Sequence, residues 1–302
     1  GTAIELQKSG FELVGCDMLY HDTLPHGGGL SSSAAIEVST ALAFATLHNE
    51  KNGIDTPVDM IEMAKLSQEA EIIYCGVNCG IMDQFASAMG KKDNAIFLDC
   101  KTLDFKYVPL VLDGYKIIVG NTKKKRGLAD SKYNERRSQC EQGLAILQQN
   151  GVDIKDLCSL SVEDFEKYGS FIKDDVIYRR VRHCVTENQR VLDAVAALKQ
   201  NDLVQLGKLL YESHDSLKND YEVTGIELDT LKEVASKQEG CIGARMTGAG
   251  FGGCAVSIVK SDAVEAFIAN VGKAYEEKIC DCKTCSHARN DFCTAASVVQ
   301  GI

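Results

Sequence analysis

The sequence has no long apolar run, little proline and no excess of positive charge. No stretch of its 302 residues approaches the roughly 20 consecutive apolar residues that a membrane-spanning helix requires. Only 3 residues are proline, so a long proline-rich linker is excluded. The formal net charge of −10 argues against nucleic acid as the main partner, because phosphate backbones select basic surfaces.

The remaining composition is that of a soluble globular protein, with 45% hydrophobic and 25% charged residues and a length sufficient for two domains. The 13 cysteines are an odd number, and the first ten residues lack a signal-peptide pattern. We therefore expect reduced thiols and a cytoplasmic protein. The spacing of Cys280, Cys282, Cys285 and Cys293 could bind zinc but lacks the paired pattern of common zinc ribbons, so we expect no zinc there.

Residues 25–37, "PHGGGLSSSAAIE", place a glycine-rich loop directly before a stretch with helical apolar spacing. The first N–H groups of a helix have no partner within the helix, so this loop is a candidate cradle for phosphate. Its members are Gly27, Gly28, Gly29, Leu30, Ser31, Ser32 and Ser33. The alternative is a flexible turn in which Ser31 or Ser32 caps the helix.

The loop is neither a Walker A loop nor a dinucleotide fingerprint. No lysine follows the glycines, and their spacing is not Gly-x-Gly-x-x-Gly. If the loop binds phosphate, magnesium or another residue must supply the positive charge. A serine hydroxyl at the helix start is a plausible ligand for Mg²⁺.

Local patterns predict an α+β chain, because strands and helices do not alternate regularly. Thr56 is a predicted helix N-cap, Thr224 and Glu227 form a predicted capping box, and Ser161 begins a variant of the capping box. The predicted strands are residues 11–19, 95–100, 115–121 and 254–259. The predicted helices are residues 33–45, 56–74, 81–90, 224–240 and 263–278. Residues 128–220 are predicted to be mostly helical, with an amphipathic helix at 185–200.

A second glycine-rich loop, "GAGFGG" at residues 248–253, precedes the last predicted strand. It could be a bulge-rich turn. Together with the first loop it could instead bracket a nucleotide from both domains.

Three segments, "PHGGGLSSSAA", "CGIMDQF" and "MTGAGFGGC", resemble the phosphate loop, catalytic segment and C-terminal glycine loop of the GHMP small-molecule kinases. "RRVRHCVTENQRV" at 179–191 and "SHDSLKNDYEVTGIELDTL" at 213–231 also resemble this family, in its galactokinase branch. The resemblance extends from about residue 11 to residue 275.

The resemblance implies a two-domain α+β fold, with a ribosomal-S5-like N-terminal domain at 1–111 and a ferredoxin-like C-terminal domain at 112–302. It implies transfer of phosphate from ATP to the anomeric hydroxyl of galactose, with Mg²⁺ as cofactor. The residues carried over are Gly27 to Ser33 for the ATP phosphates, Ser33 and Glu71 for the metal, Asp83 for catalysis, Gly80, Asp83 and Tyr133 for the sugar, and Gly248, Ala249, Gly250 and Gly252 for the loop that closes over the site.

Several of these residues have plainer interpretations when taken alone. An aspartate early in a helix, such as Asp83, often only complements the helix dipole. Glu71 would be a solvated helix carboxylate, and Tyr133 an ordinary interface tyrosine. For the whole chain, an N-acetylgalactosamine kinase and a galactose- and ATP-binding sensor derived from a kinase are the alternatives. We expect a monomer that binds neither nucleic acid nor membrane.

The sequence departs from the family at both ends. The segment G-R-V-N-L-I-G-E-H-T-D-Y, which supplies an arginine and several sugar contacts in the family, is absent. We therefore expect a chain truncated at its N-terminus that phosphorylates galactose poorly by itself. The segment from Cys280 to Cys293 is unlike the family's final strand, so we expect an irregular end.

Overall fold

The computed structural model describes residues 1–24, 30–124 and 129–281. The chain divides into two compact units, with the division between Val108 and Pro109. The sequence-based domain boundary between residues 111 and 112 stays a prediction. Within the described residues, no helix is both long enough and apolar enough to cross a membrane.

Where it is described, the first unit contains four α-helices, a π-helical turn and a two-stranded sheet. Its elements are α1 (Thr2–Lys8), α2 (Ser32–Asn52), α3 (Met60–Ala70), α4 (Met82–Met89), β1 (Asn94–Leu98) and β2 (Phe105–Pro109), with β1 paired to β2. Apolar residues of α2 recur at helical spacing and face inward, including Ala41 and Ala45. They pack with Leu6, Met63 and Leu66, which join α1 and α3 to the same core.

Two predictions in this unit are wrong. Residues 11–19 form no strand, because Phe11 packs against the helical core while Leu19 is 97% exposed. The helix predicted to start near Thr56 begins at Met60. Asp59 caps it by accepting hydrogen bonds from the Ile61 and Glu62 backbone N–H groups at 2.9 and 3.3 Å.

The second unit combines an antiparallel sheet with six helices in the part of it that is described. Its elements are β3 (Tyr115–Asn121), α5 (Ala129–Gln149), α6 (Val162–Tyr168), α7 (Asp175–Lys199), α8 (Leu203–Ser216), α9 (Gly225–Ser236), β4 (Cys241–Met246), β5 (Cys254–Lys260) and α10 (Val264–Asp281). The strand order is β3-β5-β4. The prediction for residues 115–121 is confirmed, whereas strand β4 was missed.

Two apolar clusters stabilise the second unit. One lies between the sheet and helices α9 and α10 and includes Ile118, Val259, Leu228 and Phe267. The other lies around α5, α6 and α7. Because the sheet has helices packed on it but no regular strand–helix alternation, the α+β prediction agrees with this architecture.

The two predicted capping boxes of this unit have different outcomes. The Ser161 side chain accepts a hydrogen bond from the Asp164 backbone N–H at 3.0 Å, as predicted. Thr224 makes no side-chain cap for α9. Glu227, its expected partner, instead forms an ion pair with Lys124 at 2.8 Å.

A buried imidazole links α7 to the end of α8. His183 Nδ1 lies 3.0 Å from the Ser216 hydroxyl, and the His183 ring stacks on Tyr221 with centroids 4.5 Å apart. Burial, the largest effect, lowers the pKa of His183 to about 4, against the smaller opposing influence of Glu187.

This burial predicts a pH-dependent stability. The pKa of His183 lies below its unfolded value of 6.5, so the unfolded chain binds this proton first as the pH falls, and the folded state loses stability between pH 6.5 and about 4. Between pH 7.5 and pH 5 the loss amounts to about 2 kcal/mol. His183→Phe cannot titrate, so its free energy of unfolding, measured by urea denaturation at both pH values, should fall less than that of the wild type. Equal losses in the two proteins would contradict the assignment.

Candidate active site

Helix α2 begins without a side-chain cap. Ser31 occupies the N-cap position with a φ of 56°, and its carbonyl accepts the Ala35 backbone N–H at 2.9 Å, but its hydroxyl does not cap the helix. No acidic residue lies in the first turn. Leu30 directly precedes the N-cap, whereas Gly27, Gly28 and Gly29 lie outside the described residues. The start of α2 therefore keeps the positive end of the helix dipole uncompensated by its own side chains.

Carboxylates from three elements converge beside this helix start. Gln84, in α4, is buried and donates hydrogen bonds through Nε2 to Glu71 Oε2 at 2.8 Å and to Glu37 Oε2 at 3.1 Å. Glu71 begins a π-helical turn that follows α3, and Glu37 lies in α2. Ser33 lies one turn before Glu37, so both project from the same face of α2.

The electrostatics of this cluster reflect its crowding. The pKa of Glu37 is raised to about 7, mainly by burial and in part by the charges of Glu71 and Asp83, while the hydrogen bond from Gln84 opposes the rise. Burial and the same carboxylates raise the pKa of the Cys79 thiol to about 11. The cluster is therefore a site of concentrated negative charge, which favours a bound cation.

The structure brings several of the predicted site residues together in the first unit. Asp83 is half-buried in the first turn of α4, and Gly80 is exposed in the segment that leads to it. Glu71 and Asp83 both act on Glu37, so they belong to one cluster. Sequence reasoning missed Glu37 and Gln84. Their signals were the four-residue spacing from Ser33 and the position directly after Asp83.

The second glycine loop, at residues 248–253, is a fixed turn between β4 and β5. Four of its glycines, namely Gly248, Gly250, Gly252 and Gly253, have positive φ. The Phe251 backbone N–H donates to the Val223 carbonyl at 2.7 Å, and the Gly253 carbonyl accepts from the Thr122 hydroxyl at 2.7 Å. Ala249 is half-buried in the same turn. This loop therefore depends on two neighbouring segments for its conformation.

Two of the segments that carry the family resemblance contact each other beneath this loop. Arg180, buried in α7, donates to the Asp220 carbonyl and pairs with Glu222 at 2.6 Å. The Val223 backbone N–H donates to the Leu217 carbonyl at 3.1 Å. The buried arginine thus holds the turn that presents the Val223 carbonyl to the glycine loop.

Tyr133 lies half-buried in α5, in the second unit. Arg136, one turn later, donates through Nε to the Tyr221 carbonyl at 2.7 Å and through Nη2 to the Glu222 carbonyl at 3.2 Å. These bonds fix this part of α5 to the turn that follows α8. The role of Tyr133 towards a sugar stays a prediction.

Two family models match this chain, one within each of its two units. The family model described as GHMP kinases N terminal domain matches residues 1–91, and that described as GHMP kinases C terminal matches residues 194–277. The chain therefore belongs to the GHMP kinase family, and the predicted α+β two-domain fold class is confirmed.

Galactokinases are among the proteins most similar to this chain in sequence. The galactokinase of Fusobacterium nucleatum is 54% identical over 264 residues, which are 87% of this chain and 66% of the relative. That of Clostridium beijerinckii is 52% identical over 280 residues, which are 92% of this chain and 70% of the relative. The chain thus spans about two thirds of the length of these relatives.

A solved galactokinase structure is also similar to this chain in its fold. The Lactococcus lactis galactokinase, complexed with galactose, has a TM-score of 0.82 and 42% identity, over 92% of this chain and 70% of that one. The chain is thus similar to galactokinases over most of its own length, which confirms the resemblance found in the sequence.

The contact between Gly250 and Val223 makes the glycine loop sensitive to one methyl group. A Cβ on Gly250 would lie 2.2 Å from the Val223 carbonyl oxygen, at a φ of +83°. Gly151 has nearly the same φ, +81°, but its Cβ would meet no atom within 4 Å. We expect Gly151→Ala to lower the free energy of unfolding by about 1 kcal/mol, the backbone cost alone, and Gly250→Ala to lower it by about 2 kcal/mol more through the clash. Chemical denaturation of both variants measures this difference, and equal losses would show that the loop moves freely.

Proposed function

We propose that this protein transfers the γ-phosphoryl group of ATP to the anomeric hydroxyl of galactose. The observation that carries the proposal is the cluster of Glu37, Glu71, Asp83 and Gln84 beside the uncapped start of α2. Phosphoryl transfer requires alignment and charge neutralisation more than covalent catalysis. The carboxylates would hold the cation that neutralises the phosphates, and the helix start offers backbone N–H donors that would align them. Relatives about 50% identical to the chain are galactokinases, and one neighbouring structure contains galactose.

The donor set of the cluster fits a magnesium ion. Carboxylate and hydroxyl oxygens are ligands that Mg²⁺ prefers. The buried Gln84 Oε1 has no hydrogen-bond partner among the described residues, and a hydrated cation brings water donors that such an acceptor needs. The described residues contain no group of three His, Cys, Asp or Glu side chains arranged for a metal. This agrees with an ion held by one or two protein groups together with substrate phosphates.

In the proposed mechanism, the backbone N–H groups at the start of α2 and the preceding loop bind the ATP phosphates. Ser33 and Glu71 would hold Mg²⁺, which when bound neutralises charge on the transferring phosphate. Asp83 orients the anomeric hydroxyl of the sugar and accepts its proton as the oxygen attacks the γ-phosphorus. The bond from that phosphorus to ADP breaks, and galactose 1-phosphate forms.

In this proposal Gly80 and Asp83 of the first unit contact the sugar. The second unit contributes Tyr133 to sugar binding and the loop at residues 248–253 to nucleotide binding. The rigid seat of that loop on the Val223 carbonyl supports a binding role, because a loop held in one conformation loses little entropy when a ligand orders it. We also propose that the protein is a cytoplasmic monomer.

The alternatives differ in substrate or in turnover. An N-acetylgalactosamine kinase would bind a bulkier group at the 2-position of the sugar. A sensor would bind galactose and ATP without releasing ADP. An assay that couples ADP release to a visible signal, run on the full-length protein with galactose and then with N-acetylgalactosamine, separates the three, and galactose should give the faster turnover. Binding of both ligands without ADP release would instead favour the sensor.

Asp83→Asn keeps the shape of the side chain and removes its charge. We expect kcat to fall by about 10²- to 10⁴-fold, because the acceptor hydroxyl loses its base. The affinity for ATP should change little, since the sugar alone contacts this carboxylate. Asp93→Asn, at an exposed turn of the same unit, is the matched control. Unchanged turnover of Asp83→Asn would leave Asp83 as a residue that only complements the dipole of α4.

Ser33→Ala removes one proposed metal ligand from an exposed position. The Mg²⁺ concentration for half-maximal binding of a fluorescent ATP analogue should rise by about tenfold. Ser39→Ala is the control, because Ser39 is also exposed on α2 and only bonds the Ile36 carbonyl. A normal magnesium dependence in Ser33→Ala would exclude the serine as a ligand.

A further inference from the structure

The side-chain amide of Gln84 donates hydrogen bonds to two carboxylates. The residue is 1% exposed, and Nε2 reaches Glu71 Oε2 at 2.8 Å and Glu37 Oε2 at 3.1 Å. A primary amide has two N–H donors, so both are used by these contacts. Hydrogen bonds to an ionised acceptor are about twice as strong as those between neutral groups. The amide therefore ties α2, the turn after α3 and α4 together at the carboxylate cluster.

The orientation of this amide follows from the same contacts. If the amide were reversed, its carbonyl oxygen would face two carboxylates, and both of its N–H groups would be buried without these acceptors. In the observed orientation only Oε1 lacks a partner among the described residues. A buried carbonyl without a hydrogen-bond partner destabilises the fold. A buried amide with an unpartnered oxygen calls for an explanation, such as a role of its N–H groups at a functional site or a ligand that donates a hydrogen bond to the oxygen.

We propose that Gln84 is a positioning residue that fixes the carboxylate of Glu71 for the metal. This inference rests on the proposed function, which makes Glu71 a ligand, and it adds that the affinity of the site for Mg²⁺ depends on the amide behind that ligand. Glu71 lies in a π-helical turn rather than in a regular helix. The backbone of a π-turn is less regular than that of an α-helix, so it holds the Glu71 side chain less firmly by itself. Such turns commonly occur at functional sites.

Glu37 serves as the second anchor of the amide. Because it accepts the other N–H of Gln84, rotation of the amide away from Glu71 would break two hydrogen bonds rather than one. Partners behind a metal ligand typically change metal affinity by 10- to 100-fold when they are removed. Gln84 is thus expected to act on the metal through Glu71 without contacting the reacting atoms.

The test uses Gln84→Met in the full-length protein, which keeps the length of the side chain and removes both hydrogen bonds. The Mg²⁺ concentration for half-maximal binding of a fluorescent ATP analogue should rise by about tenfold or more. Gln68→Met is the matched control, because Gln68 also donates one amide hydrogen bond in this unit, to the Cys79 carbonyl at 2.9 Å, without contacting a carboxylate. Its half-maximal concentration should stay within about twofold of the wild type, a change that lies below the expected range for a partner of a metal ligand.

The same substitution, made in a protein that already carries Glu71→Gln, tests whether Gln84 acts through Glu71. In Glu71→Gln, the added Gln84→Met change should shift the magnesium dependence by less than about twofold, because residues that act as one unit are not additive. The same shift in both backgrounds would overturn the positioning role. If Gln84→Met does not fold, as judged by circular dichroism, Gln84→Asn replaces it, since its shorter amide cannot span both carboxylates.

The outcomes separate this inference from the proposed function. If the wild type binds the nucleotide without any magnesium dependence, the proposed metal site is wrong, and the role of Gln84 is wrong with it. If the wild type depends on magnesium and Gln84→Met behaves as the wild type does, only the positioning role is overturned.

Discussion

Three carboxylates, Glu37, Glu71 and Asp83, are crowded into one partly buried corner of the first unit, and the amide of Gln84 is what makes this crowding tolerable. Burying like charges together is unfavourable unless hydrogen bonds compensate them. Gln84 gives both of its donors to two of these groups, and the pKa of Glu37 still rises to about 7. A site with this concentration of negative charge favours a bound cation, which supports the proposed magnesium site.

In the second unit, a series of contacts holds the glycine loop in one conformation. The series starts at the buried Arg180 in α7, continues through the turn at Asp220 and Glu222, and ends at the Val223 carbonyl. This relay explains why two segments without phosphate-binding character occur alongside the glycine loop in the family resemblance. They determine the backbone against which the loop packs, and the loop cannot move away from the Val223 carbonyl without losing a 2.7 Å hydrogen bond.

Sequence patterns predicted much of this fold where the signal is local. The capping of α6 by Ser161 and the strand at Tyr115–Asn121 are confirmed, because both depend on neighbours within a few residues. Residues 11–19 were wrongly predicted as a strand, since β-forming residues adopt that structure only when a partner strand pairs with them. Thr56 was wrongly predicted as the cap of α3, because the helix begins after Asp59, whose carboxylate accepts the Ile61 and Glu62 backbone N–H groups.

The sequence by itself determined the family, the loop and helix start around Ser33, and the identity of Glu71 and Asp83 as candidate site residues. These are properties of short motifs, in which spacing along the chain carries the information. Only the tertiary structure decided that Glu37 and Gln84 join them, because Glu37 and Gln84 are 47 residues apart and meet only when α2 and α4 pack together. Burial and mutual charge, which set the pKa of Glu37, are likewise properties of the packed structure and not of any segment alone.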